Sequence, residues 1–93
     1  MEEKFIAAWA QAREKAAALG VRMRPIAPED AMHSAHRLLS GRKFSDGFDQ
    51  LADLGKLSLS LEALAVDKRF TGLFSDDEAN EALNRLLSAG YRF

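Results

Sequence analysis

The sequence predicts an all-α protein, a small irregular or orthogonal bundle of four to five short helices. Three observations carry that prediction. Apolar residues recur at helical spacing along most of the chain. Glycines stand where each of those patterns stops. The length, 93 residues, suits a single helical domain, 1–93, with one core.

The first helix is predicted over residues 3–19. Phe5, Ile6, Trp9, Ala12, Ala16 and Leu19 form one stripe there. Gly20 is placed for a left-handed ending, with Val21 as the apolar residue that folds back after it. Residues 21–27 read as a connector, because Pro25 and Pro28 each remove a donor and bias the preceding residue towards an extended form. Pro28 suits a first helical position, and Glu29 and Asp30 suit the positive helix end. Ala31, Met32, Ala35, Leu38 and Leu39 then make the stripe of a second helix that runs to Ser40 and stops at Gly41.

A third, short helix is expected behind a Ser45 N-cap, with Phe48, Leu51 and Ala52 inward and Gly55 as its stop. The stretch from Lys56 to Leu61 alternates and admits a strand. Leu61, Leu64 and Ala65 nevertheless continue at helical spacing behind Ser60, so a short helix is the preferred reading. Phe70, Leu73 and Phe74 cluster around Gly72 and read as a turn that plugs the core. The last helix has the strongest start signal: Ser75 and Glu78 form an S-x-x-E capping box ahead of Ala79, Ala82, Leu83, Leu86 and Leu87. Gly90 ends it, with Tyr91 placed to fold back on Leu86.

Composition narrows the function classes. With 47% hydrophobic and 29% charged residues the chain has a globular balance, and with no cysteine it has no disulfide, thiolate metal site or cysteine nucleophile. The start, Met1-Glu2-Glu3-Lys4-Phe5, is acidic where a secretory leader is basic, and no apolar run approaches the ~20 residues of a membrane span. A cytoplasmic protein with no membrane partner is expected. The net charge is −1, but it is unevenly spread. Residues 20–43 hold five basic and two acidic side chains, whereas residues 44–93 hold five and nine.

Catalytic and cofactor signatures are absent from the pattern. His33 and His36 are three apart on one helix, yet no further ligand type accompanies them, so neither metal nor cofactor is expected. Neither a G-x-S-x-G elbow nor a glycine-rich phosphate loop occurs, and the serines at 45, 60 and 75 read as helix caps. Two helix-turn-helix registers fail. Pro25 and Pro28 interrupt the first, and the second offers Leu61, Glu62, Ala63 and Leu64 to DNA with no donor for base edges or phosphates.

A candidate binding surface is left: Arg22, Arg24, His33, Arg37, Arg42 and Lys43, together with Phe70 and Phe74 if these two face solvent. The basic groups lie towards opposite ends of the second helix, roughly 18 Å apart at 1.5 Å per residue. Ordinary solvated charge and a buried aromatic plug are the plain alternatives. The leading expectation is a non-catalytic interaction or regulatory module that binds a protein partner or a second copy of itself. The other expectation is an accessory protein that binds nucleic acid or phosphate through 22–43.

Overall fold

The computed structural model describes residues 2–23, 26–41 and 44–91, with Thr71 described for its backbone alone. The chain is all-helical. Helices α1 (Glu2–Ala18), α2 (Ala31–Ser40), α3 (Phe48–Asp53), α4 (Leu61–Ala65) and α5 (Asp76–Ser88) are joined by short turns, several of them 3-10. No strand occurs among the described residues. The alternation at 56–61 resolves into a 3-10 turn at Leu57–Leu59 followed by α4. Ser60 caps α4 by accepting from the Ala63 N–H at 3.1 Å.

Three helices end in the same way. Gly20, Gly55 and Gly90 all have positive φ. After each, the next N–H reaches back to a carbonyl of the last turn: Val21 to Ala16 (2.9 Å), Lys56 to Leu51 (2.8 Å) and Tyr91 to Leu86 (2.9 Å). These are Schellman endings, which satisfy orphan carbonyls locally. Helix α2 differs, because its C-cap Gly41 has φ −86°. The carbonyls of Leu38 and Gly41 accept from α5, as described below.

The start of α3 corrects the sequence reading. Ser45 does not cap it, and the N-cap is Gly47 at φ +75° with no side-chain bond. A Cβ on Gly47 would lie 2.6 Å from Val21 Cγ1, so the missing side chain is what lets the connector close against α3. The start of α5 is as expected. Ser75 Oγ accepts from the Glu78 N–H (3.1 Å), and Glu78 Oε1 accepts from the Ser75 N–H (2.8 Å).

The interior has two parts. The larger joins Phe5, Trp9 and Ala12 of α1 to Ala35 and Leu39 of α2, Leu61 and Ala65 of α4, and Ala82 of α5. Phe5 stands at its centre, edge-on to Phe70 (5.4 Å) and Phe74 (5.2 Å). The smaller part gathers Ala16, Val21, Phe48, Leu51, Leu57 and Leu86. Helix α5 packs mainly on α4 and α2, and its buried face is turned towards Ala82 and Arg85. Leu87, expected inside, is therefore 55% exposed, and Leu19 at the end of α1 is 45% exposed. None of the helices is long and apolar enough to cross a membrane.

Candidate functional site

The predicted surface residues do not assemble as one patch among the described residues. Phe70 and Phe74 are 1% and 8% exposed, so they are core and not surface. The reason is size, because a domain this small closes its interior only if its large aromatics are inside. His33 and Arg37 are exposed on α2, and Arg22 is exposed in the connector. Arg24, Arg42 and Lys43 lie outside the described residues. His36 is half-buried against Phe74, with ring centroids 5.3 Å apart, and its Nδ1 meets Glu78 Oε2 at 2.6 Å. An Nδ1 that faces a carboxylate carries its hydrogen there.

Glu78 serves the capping box and His36 together. Burial pushes its carboxyl up, but the Ser75 N–H, the His36 hydrogen bond and the His36 charge outweigh that and hold it below the usual carboxylate range. No group of three His, Cys, Asp or Glu among the described residues is placed to hold a metal ion.

Two arginines define the polar geometry of the interior, and neither stood out in the sequence. Arg85 is 2% exposed and uses all three nitrogens. Its Nη1 donates to Glu62 Oε2 at 3.0 Å, and its Nε donates to Glu81 Oε2 at 2.7 Å. Nη2 donates to the carbonyls of Leu38 (3.1 Å) and Gly41 (3.0 Å), the orphan acceptors at the end of α2. Glu62 is fully buried, and its carboxylate also accepts from the Ser45 hydroxyl (2.5 Å) and the Ser45 N–H (3.2 Å). The outer face of the guanidinium lies 5.2 Å from the Phe44 ring. Charges and hydrogen bonds close on each other here, as a buried ion pair requires.

Arg13 has the opposite character. It sits one turn after Trp9 on α1, with its guanidinium 4.9 Å from the indole ring. Nη1 is buried and has no hydrogen-bond partner. Burial alone pulls the group below the usual arginine range, with no carboxylate acting against that shift.

Arg13 also lines an open groove of about 830 Å³. One wall is the α1 face Ala10, Arg13, Glu14 and Ala17, at spacing i, i+3, i+4, i+7. The other wall is the connector, with Val21, Arg22, Met23 and Ile26. Both walls are held in place, since Trp9 fixes Arg13 while the Schellman bond and Gly47 fix Val21. Arg13, Met23 and Ile26, together with Asp46, border a second, small cavity of about 20 Å³ as well, room for one water-sized group.

Comparison of the chain with protein-family models, with curated proteins and with solved structures gives no match. What the groove can do is read from its own residues.

Proposed function

We propose that this chain is a non-catalytic protein-interaction module and that the groove between α1 and the connector is its docking surface. The observation that carries this reading is the open groove itself, with Arg13 packed on Trp9 on one side and Val21 held on the other. Its volume lies within the usual range of roughly 300–1,000 Å³ for binding sites. Its shape, a helix face opposite Val21, Arg22, Met23 and Ile26, suits a segment of polypeptide laid along it. The interior ionisable groups speak against chemistry, because Glu62, Arg85 and Ser45 are committed to one another and Glu78 to a helix cap.

Photo-crosslinking tests the proposal. A benzophenone side chain placed at Ala17, in the groove, is compared with one at Asn84, exposed on α5. The module reading expects a defined adduct from Ala17 alone, lost when Ala10→Arg fills the groove. Light scattering then shows whether the partner is a second copy. Equal adducts from both positions, or none from either, would count against docking at this face.

A further inference from the structure

We propose that the groove recognises a carboxylate, carried by an acidic residue within an otherwise apolar segment of a protein partner, and that Arg13 is the residue that reads it. This inference rests on the interaction-module reading and names the chemistry of the partner. Three observations carry it.

The first is that Arg13 is held in place without being neutralised. A guanidinium packed on an indole ring loses little freedom when it forms a forked bond to an anion. Here the fork is already oriented, yet Nη1 has no acceptor. Buried donors are nearly always satisfied, and one left open in a groove marks the place where a ligand atom or an ordered water belongs. The small adjoining cavity has room for such an atom.

The second is the charge of the groove. Among the described residues it holds two guanidiniums, Arg13 and Arg22, against one carboxylate, Glu14, and none of the three forms an ion pair there; Asp46, which already has a partner, borders the small adjoining cavity. Arg13 and Glu14 lie about 100° apart around α1, and both line the groove. With two cations to one anion, the groove offers a carboxylate a net attraction.

The third is the lining around Arg13. Ala10 and Ala17 stand one turn before and after it, and Val21, Met23 and Ile26 face it. A phosphate-bearing strand needs several cations along its path and gains nothing from such walls. A peptide with one acidic side chain between apolar ones fits both the charge and the surface. Methionine adds tolerance in the shape it accepts.

The test titrates the whole protein, ¹⁵N-labelled, with the acetylated and amidated peptide Ala-Leu-Glu-Ala-Leu, and in parallel with the same peptide carrying Gln for Glu. Amide shifts of Ala17, Val21 and Met23, the Arg13 Nε signal and Trp9 emission report binding. The expected result is about tenfold tighter binding of the Glu peptide, the usual worth of a charge-assisted hydrogen bond. Arg13→Met is expected to abolish that preference while leaving the thermal midpoint unchanged or raised, because it removes a shielded donor that has no partner.

Equal binding of the two peptides in the groove would overturn the carboxylate inference and leave the module reading standing. Absence of any groove shift with either peptide, together with absence of adducts from Ala17, would overturn both. A preference for a short oligonucleotide over the Glu peptide, lost in Arg13→Met, would assign the site to phosphate. A lowered midpoint in Arg13→Met with the Glu preference intact would make Arg13 a structural residue.

Discussion

Replacing Arg85 with methionine tests the packing more severely than any other single change. Methionine fills a similar volume, so the loss is electrostatic. Glu62 would keep only its two Ser45 donors in a site with no exposure, and the Leu38 and Gly41 carbonyls would lose the group that caps α2. Removing one partner of a buried ion pair typically costs about 3–5 kcal/mol. A domain of this length has a total stability of about 5–14 kcal/mol, so Arg85→Met should consume much of it. Urea unfolding followed by circular dichroism and by Trp9 fluorescence measures the loss. The partner substitution Glu62→Met and the double variant complete a cycle, in which the double variant should be less destabilised than the two singles added, by about 1–3 kcal/mol. The double variant will not recover wild-type stability, because the α2 carbonyls and Ser45 stay unpaired. A loss below about 1 kcal/mol for Arg85→Met, or strict additivity in the cycle, would refute the assignment of this pair as the polar centre of the fold.

Other perturbations separate effects that look alike on paper. Gly47→Ala and Gly20→Ala both force alanine into the left-handed region at about 1–2 kcal/mol, but only at Gly47 does the new Cβ meet a neighbour, Val21 at 2.6 Å. Gly47→Ala should therefore cost at least about 1 kcal/mol more in urea unfolding and should shift the groove amides, while Gly20→Ala leaves them in place. Ser75→Ala should cost about 1 kcal/mol by removing half of the capping box. The carboxyl of Glu78 is held below its unfolded value, so the folded state binds fewer protons there and its contribution is complete above the unfolded range near pH ~4.3. That contribution is lost as the pH falls through the lower folded value. The stability difference between wild type and Glu78→Gln should accordingly shrink below about pH 4.

What could be read in the sequence was local. The Ser75–Glu78 box and the Gly20 and Gly90 endings depend on residues within one turn, and each forms as its spacing predicts. The alternating stretch before Ser60 was decided by the same kind of evidence, a cap followed by helical spacing. What could not be read depends on partners far along the chain. Arg85 reaches Glu62 and the Leu38 carbonyl across separations of 23 and 47 residues. Once Glu62 and the α2 carbonyls draw Arg85 inward, α5 turns with it, and Leu87 is carried out to solvent. Ser45 was misread for a related reason, since a hydroxyl that suits a cap also suits a carboxylate, and Glu62 lies 17 residues away. Helical spacing did hold a weak signal, because Arg85 flanks Ala82 and Leu86, and Glu62 stands between Leu61 and Leu64. Arg13, one turn after Trp9 beside the buried stripe, is of the same kind.

The two arginines, Arg85 buried and Arg13 half-buried, are most informative when set against each other. Arg85 brings its cation into the interior and Arg13 shields part of its own, and desolvation opposes the charge in both places. At Arg85 the fold supplies two carboxylates and two carbonyls, so the charge is compensated and holds α2, α4 and α5 together. At Arg13 the fold supplies an aromatic face and nothing for Nη1. If Arg13 served stability alone, a methionine or leucine would pack against Trp9 without the desolvation cost, and the groove would lose nothing. Keeping a guanidinium there lowers stability unless something outside the described residues completes it. A stability gain in Arg13→Met coupled to loss of the Glu peptide preference is therefore the pair of results that separates the two arginines by role.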